Sequence, residues 1–270
     1  MRLEVQGRTA YAYTGGQPLA GGRPCVVFVH GALNDHSVWT LLARWYAHHG
    51  FDVLAVDQPA HGRSDGPPLA SVEALADWLL ALLDAAGVER AHLVGHSMGS
   101  LVALEAAARA PERAAGLVMV GTAVPMKVSD ALLATARDDP GKAIAMVTAF
   151  SHAGLAAKPS YPGPGAWLRG GSSALMHRTQ ETGARLGASN LFEHDFRVCD
   201  AYAGGLEAAA RVRCPAHLVV GQRDAMTPPK ATRELAGVLK ATTLTVDSGH
   251  ALMQEAPDAV LNALRQAIST

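Results

Sequence analysis

The apolar positions of this chain follow one pattern over most of its length. From residue 25 onward, short uninterrupted apolar runs alternate with segments that have the apolar spacing of amphipathic helices. Uninterrupted Val/Leu runs separated by helices are typical of a parallel sheet that is covered by helices on both faces. The sequence therefore predicts an α/β fold with a mostly parallel twisted sheet flanked by helices.

The individual elements can be placed from the same pattern. Two short alternating runs at the start predict an antiparallel hairpin around Gly7. The predicted core strands lie at residues 25–29, 53–56, 92–94, 116–120, 217–220 and 243–246. The predicted core helices lie at about residues 38–48, 71–86 and 98–109.

The alternation of strands and helices stops between about residues 124 and 206. Helical patterns there flank a Gly/Pro-rich stretch at 158–165 and resume after Ser172. A connection of this length without structure of its own is uncommon. We predict a core of residues 1–123 and 207–270 with an inserted helical cap, called the cap segment, at residues 124–206. Extra core helices with one flexible loop are the alternative, and the Gly/Pro-rich stretch fits either a gating lid or a loop without a role.

One serine lies between two glycines at the junction of a predicted strand and a predicted helix. The stretch Gly95-His96-Ser97-Met98-Gly99 fits the G-x-S-x-G pattern of a nucleophile elbow. In such an elbow a sharp turn raises the serine hydroxyl above the sheet, and small residues are needed where the helix doubles back over the strand. The pattern predicts Ser97 as a catalytic nucleophile.

A nucleophilic serine needs a base and a carboxylate that orients the base. Asp224 and His250 each follow a predicted strand, and both come after Ser97 in the chain order Ser, Asp, His. The carboxyl ends of parallel strands meet at the edge of the sheet where ligands bind. We therefore predict His250 as the base and Asp224 as its partner. Asp200 and Asp247 are weaker candidates for the carboxylate, since Asp247 is too close to His250 along the chain.

The turn after the first core strand is a candidate site for negative charge. His30-Gly31-Ala32-Leu33 follows that strand directly. The backbone N–H groups of Ala32 and Met98 are predicted to form the oxyanion hole for a tetrahedral intermediate. Leu33 is the second candidate for the first of these donors.

Composition and charge limit the classes of binding partner and the cellular locations that we expect. The net charge is −1 and charged residues make up 17% of the chain, so there is no basic field that would favour nucleic acid. The three cysteines are widely spaced and suggest neither a disulfide framework nor a zinc site. Apolar stretches fall short of the roughly 18 residues that span a bilayer, and the N-terminus does not resemble a secretory signal. We expect a cytoplasmic protein without membrane insertion.

These motifs together resemble the α/β-hydrolase fold family, in its capped branch of serine esterases, lactonases and carbon–carbon bond hydrolases. The resemblance extends over nearly the whole chain outside the cap segment and rests on His30-Gly31, the elbow, and residues 57–64, 221–224 and 248–250. It implies a structural role for the turn at Asp57. A serine at position 97 disfavours dehalogenase and epoxide hydrolase activities, which use an aspartate there. His96 in place of the Asn common in carbon–carbon hydrolases places that reaction below ester cleavage.

The predicted function is that of a serine hydrolase that cleaves a small to medium hydrophobic carboxylic ester or lactone through an acyl-enzyme. The alternatives are a carbon–carbon bond hydrolase or lyase acting on a ketone-containing substrate, and a non-enzymatic ligand sensor on the same scaffold. No metal or organic cofactor is needed, and either a monomer or a homodimer is expected. Methionines and aromatic residues are candidates for the pocket lining. The predicted substrate contacts are Leu33, Met126, Phe150, Trp167 and Met226.

Overall fold

A computed structural model of the chain describes residues 1–154 and 164–268, with the side chains of the second range described from residue 167. Most of the Gly/Pro-rich stretch at 158–165 lies outside the described residues. The strands are β1 (Arg2–Val5), β2 (Arg8–Tyr13), β3 (Cys25–Val29), β4 (Asp52–Asp57), β5 (Ala91–His96), β6 (Ala114–Val120), β7 (Ala216–Gly221) and β8 (Thr242–Val246).

These strands form one eight-stranded sheet in the order β1-β2-β4-β3-β5-β6-β7-β8. The pairs from β4 to β8 are parallel, and β1 and β2 form an antiparallel hairpin added at the β4 edge. In the centre, Val27 of β3 pairs with Leu54 on one side and with Leu93 on the other. The carboxyl ends of the six parallel strands therefore meet at one edge, as the sequence predicts.

Helices cover both faces of the sheet. They are α1 (Thr40–Ala47), α2 (Val72–Ala85), α3 (Met98–Arg109), α4 (Asp130–Asp138), α5 (Pro140–Ser151), α6 (Pro164–Arg185), α7 (Leu191–Ala201), α8 (Gly205–Arg211), α9 (Arg233–Leu239), α10 (Leu252–Glu255) and α11 (Pro257–Ala267). Short 3₁₀ turns occupy His36–Trp39, Pro111–Arg113 and Pro229–Thr232.

Successive side chains of the strands pack into different cores because they point to opposite faces. Val27 of β3 belongs to the core under α2, α3, α8 and α9, whereas Phe28 belongs to the core under α1, α10 and α11. The Phe28 ring lies 5.0 Å from the ring of Trp39 and 6.0 Å from that of Tyr46, measured between centroids. A continuous apolar run is thus required, because both faces of the strand are buried.

The described part of the chain between β6 and β7 contains helices α4 to α8 and no strand. Helices α4 to α7 share a third, smaller core that includes Ile144, Leu191 and Phe192. This core also takes in Leu33 and Ala60 from the turns after β3 and β4, so the cap segment packs directly on the carboxyl edge of the sheet. The boundaries of the cap segment as a unit stay a prediction.

The fold class predicted from the sequence is confirmed, with differences at the ends of elements. Helix α3 begins and ends at the predicted residues, and most other predicted elements differ by one or two residues. Helix α6 differs more, because it begins at Pro164 rather than after Ser172 and contains the pair Gly170 and Gly171. Among the described residues, no helix combines the length and apolar character that crossing a bilayer requires.

Truncating the core on the α1 face tests this packing. Phe28→Ala is expected to lower the free energy of unfolding by about 3–5 kcal/mol, because it removes a fully buried ring between two aromatic neighbours. Leu41→Ala is the control, since Leu41 is 67% exposed and its truncation should cost less than about 0.5 kcal/mol. Urea denaturation of both variants checks this, and equal losses would contradict it.

Candidate active site

Ser97 occupies a strained turn between β5 and α3. Its backbone has φ 52° and ψ −123°, a conformation that side chains other than glycine rarely adopt. A Cβ at Gly95 would lie 2.1 Å from the carbonyl oxygen of Gly99, and a Cβ at Gly99 would lie 2.4 Å from that of His30. Only glycine allows this close crossing of strand, helix and neighbouring turn, so the structure has the geometry of a nucleophile elbow.

His250 and Asp224 lie together at the carboxyl edge of the sheet, after β8 and β7. His250 Nδ1 is 2.8 Å from Asp224 Oδ2, and both side chains are buried. Because a carboxylate can only accept, Nδ1 carries the hydrogen and Nε2 of His250 is left as the basic atom.

The Asp224 carboxylate accepts further hydrogen bonds from its own loop. The backbone N–H groups of Met226 and Thr227 donate to Oδ1, and the Thr227 hydroxyl donates to Oδ2 at 2.7 Å. Burial by itself would raise the pKa of Asp224, but His250 and the donors from Thr227 outweigh it and hold the pKa below its usual value. Asp224 is therefore negatively charged when it accepts the hydrogen bond that orients His250. No sequence pattern identifies Thr227 as a hydrogen-bond donor to Asp224.

His96 fixes the position of the His250 backbone. Its Nε2 donates to the carbonyl oxygen of His250 at 2.9 Å, and the two rings lie 4.8 Å apart. Burial, and then the neighbouring His250, lower the pKa of His96 to about 3. The ring is therefore neutral, and it supports the histidine loop without adding a second positive charge beside it.

The loop that carries His250 is also tied to the end of α5 in the cap segment. The Ala251 N–H donates to the carbonyl of Ser151 at 2.9 Å. The buried carboxylate of Glu255 accepts from the N–H of Gly249 and from that of Ala153. One side chain of the core thus holds both the residue before His250 and the residues that follow α5.

The turn after β3 lies against Ser97. A Cβ at Gly31 would be only 3.0 Å from the Cβ of Ser97. Ala32 follows and is partly accessible beside Ser97, while Met98 is the first residue of α3, so its N–H has no acceptor within the helix. The structure brings both predicted oxyanion-hole residues next to the serine.

Leu33 requires a correction in two respects. Its N–H donates to Asp195 Oδ2 at 2.8 Å, so it is not available as an oxyanion donor. Its side chain is buried in the small core beneath the cap segment. Among the described residues that line the cavities at Ser97, Leu33 does not occur.

Two cavities meet at Ser97, and both are lined by Ala32, Ser97 and His250. The small cavity, of about 50 Å³, has a partly polar wall that includes Asn34, Ser172 and Gln254. The large cavity, of about 240 Å³, extends beneath α4 and α5. The larger apolar side chains that line it are Met126, Val128, Leu132, Met146, Val147, Phe150, Phe196 and Met226.

Three of the five predicted substrate contacts therefore lie at the large cavity, namely Met126, Phe150 and Met226. Trp167 requires a correction, because its side chain is 67% exposed and it does not occur among the described residues that line either cavity. Val147 and Phe196 line both cavities and were not among the predicted contacts. Composition alone offered no means of choosing among apolar residues on helices of unknown orientation.

In the part of the chain that the structure describes, one cluster of possible metal ligands consists of Asp35, His36 and Asp57, none of which lines the cavities at Ser97. Asp57 Oδ1 accepts from the backbone and the ring of His36, and Oδ2 accepts from the N–H of Arg63. Asp35 caps the 3₁₀ turn that begins at His36 and contacts Arg178. The carboxylate oxygens of Asp35 and Asp57 thus already accept hydrogen bonds from nearby turns and from Arg178, in agreement with a structural role for Asp57.

A profile described as alpha/beta hydrolase fold matches residues 24–257. The chain therefore belongs to the α/β-hydrolase fold family. The expected family and fold are thereby confirmed.

Proteins similar to this chain include enzymes that are described as acting on esters and lactones. The chain is 31% identical over 234 residues to the pimeloyl-[acyl-carrier protein] methyl ester esterase of Chromobacterium violaceum, covering 83% of this chain and 85% of that protein. Two similar solved structures are Est816, described as an N-acyl homoserine lactone degrading enzyme, and the enol-lactonase from Burkholderia xenovorans LB400. Both have a TM-score of 0.79. Est816 is 22% identical with 99% of this chain and 100% of that chain covered, and the enol-lactonase is 21% identical with 98% of each covered.

Other relatives match over a shorter stretch. The dihydrolipoyllysine-residue acetyltransferase component of the acetoin cleaving system of Cupriavidus necator is 36% identical over 115 residues, which is 42% of this chain and 29% of that protein. The chain thus spans about a third of the length of such relatives. The solved structures, at their low identity, show the fold, and the names of the relatives support the expectation of a hydrolase.

The elbow can be tested through its glycines. Gly95→Ala is expected to lower the free energy of unfolding by about 3 kcal/mol, because the new methyl group would meet the Gly99 carbonyl oxygen. Gly237→Ala is the matched control on the exposed side of α9, where a Cβ meets nothing and alanine favours the helix. Thermal and urea unfolding of both variants provide the comparison, and a Gly95→Ala protein as stable as the wild type would contradict the described crossing.

Proposed function

We propose that the chain is a serine hydrolase that cleaves small to medium hydrophobic carboxylic esters or lactones through an acyl-enzyme. The observation that carries this proposal is the pairing of His250 with the charged Asp224 beside a serine held in a nucleophile elbow. Esterase and lactonase relatives support the same class of reaction.

In the proposed reaction His250 Nε2 accepts the hydroxyl proton of Ser97 while the serine oxygen attacks the ester carbonyl. Asp224 keeps the proton of His250 on Nδ1 and stabilises the imidazolium that forms. The imidazolium then protonates the leaving alcohol, and the acyl group stays on Ser97. A water molecule repeats the sequence, with His250 as base, and releases the carboxylic acid.

The negative charge of each tetrahedral intermediate is proposed to lie on the N–H groups of Ala32 and Met98. The N-terminus of α3 adds the favourable field of a helix dipole at the same place. Losing one donor of this kind typically costs roughly 3–4 kcal/mol of transition-state stabilisation. These two amides would therefore account for a substantial share of the rate.

The two cavities support a substrate whose two parts lie on either side of Ser97, one part in each cavity. The large cavity is lined mainly by apolar side chains, and its volume of about 240 Å³ lies below the roughly 300–1,000 Å³ that is usual for drug-sized ligands. The longer apolar part of the substrate is proposed to lie there. The small cavity, of about 50 Å³, would hold a short group next to its polar wall.

Steady-state hydrolysis of p-nitrophenyl esters from acetate to decanoate, by wild type and Ser97→Ala in parallel, tests the proposal. We expect the wild type to turn over esters with an optimum at short to medium chain length, because the large cavity limits the apolar part. Ser97→Ala should lose about 10⁶-fold in kcat, since it removes the nucleophile of a concerted triad.

Circular dichroism and thermal unfolding serve as the control that Ser97→Ala is folded. Wild-type rates in a folded Ser97→Ala protein would refute the mechanism. An inactive wild type whose Ser97 still reacts with a phosphonate would instead favour a carbon–carbon bond hydrolase or a sensor on this scaffold.

A further inference from the structure

Asp195 is a buried carboxylate in the cap segment that reaches the turn after β3. It lies on α7, and its side chain is 3% exposed. Its Oδ2 accepts from the N–H of Leu33 at 2.8 Å and lies 2.9 Å from His61 Nε2. One oxygen of the cap segment therefore joins two separate turns at the carboxyl edge of the sheet, and neither the proposed reaction nor the family motifs account for it.

The turn that Asp195 holds is the one proposed to bind the oxyanion. Leu33 has φ 54°, a backbone conformation that a leucine adopts only when its surroundings impose it. Ala32 immediately precedes it and lines both cavities beside Ser97. The peptide that joins Ala32 to Leu33 is fixed by the Leu33 N–H bond, so Asp195 controls the orientation of the backbone next to the proposed donor.

His61 supplies the opposite charge in this buried cluster. Its Nδ1 lies 3.0 Å from the carbonyl of Pro59 and its Nε2 faces Asp195, so both ring nitrogens face acceptors and both carry hydrogen. Burial lowers the pKa of His61, but the adjacent Asp195 outweighs it and raises the pKa above its usual value. The geometry therefore places a His61 ring that donates from both nitrogens against Asp195 in this buried cluster.

We propose that Asp195, paired with His61, is a positioning residue that sets the backbone of Ala32 for oxyanion binding, so that the cap segment takes part in transition-state stabilisation. This inference rests on the proposed function. Asp195, which lies 162 positions after Leu33 in the chain, is thus assigned an effect on kcat rather than on substrate binding. A misplacement of about 1 Å at such a donor can cost roughly 100-fold in rate.

The test compares Asp195→Ala and Asp195→Asn with wild type. Glu193→Gln is the matched control, because Glu193 is a carboxylate on the same helix that pairs with Arg197 of that helix. The measurements are kcat and KM for p-nitrophenyl butyrate and the inhibition constant of an alkyl trifluoromethyl ketone. That ketone accepts Ser97 Oγ at its carbonyl carbon, with the hydroxyl proton passing to His250, and so leaves an oxyanion in the proposed hole.

Asp195→Ala should lower kcat by about 100-fold and weaken ketone inhibition by a similar factor, with KM changed less than about threefold. Asp195→Asn should keep more of the rate, because its amide oxygen still accepts from Leu33, and Glu193→Gln should match the wild type. A purely structural role predicts instead lower thermal stability with unchanged kcat and inhibition in the folded fraction, and that result would overturn the proposal.

Hydrogen exchange of the Leu33 amide, followed by NMR, gives a readout that does not depend on ester turnover. We expect slow exchange in wild type and Glu193→Gln and faster exchange in Asp195→Ala, because the buried acceptor is removed. If the wild type hydrolyses no ester, the proposed function fails, but this measurement still tests whether Asp195 positions the backbone at Leu33. Equal exchange of the Leu33 amide in wild type and Asp195→Ala would overturn that positioning role.

Discussion

The close crossing of β5, α3 and the turn after β3 is the constraint on which the rest of the site depends. Ser97 keeps its unusual backbone because Gly95 and Gly99 let three stretches of backbone pass within contact distance. The same crossing brings Gly31 against the serine and leaves the first amide of α3 without a helical acceptor. The proposed nucleophile and the proposed donors for its oxyanion thus depend on the same backbone geometry.

Buried polar side chains then fix the loops of the site against this crossing of backbone segments. His96 and Glu255 fix the backbone around His250, and Asp195 holds the backbone after Ala32. Each of these groups makes at least one hydrogen bond, which lowers the cost of burying it. Asp195 belongs to the cap segment and Glu255 contacts it through Ala153, so the cap segment helps to position the backbone around the serine and also covers the large cavity.

Much of this could be predicted from the sequence, because strand runs and strand-end motifs are local signals. The order Ser97, Asp224, His250 places three side chains at one edge once the sheet is known to be parallel. The early start of α6 could not be predicted, since Gly170 and Gly171 disfavour a helix. The hydrogen bond between Asp195 and Leu33 could also not be predicted, because no local sequence pattern links a helix of the cap segment to a turn of the core.

The most direct test of the central claim is mass-spectrometric mapping of the protein after reaction with a p-nitrophenyl alkylphosphonate. The account predicts one covalent phosphonate on the peptide that contains Ser97, with slow or no labelling in His250→Ala, because the serine then lacks its base. The hydroxyl proton passes to His250 and p-nitrophenolate leaves as the phosphorus–oxygen bond to Ser97 forms. Labelling at another residue, or equal rates with and without His250, would contradict a serine nucleophile activated by the Asp224–His250 pair.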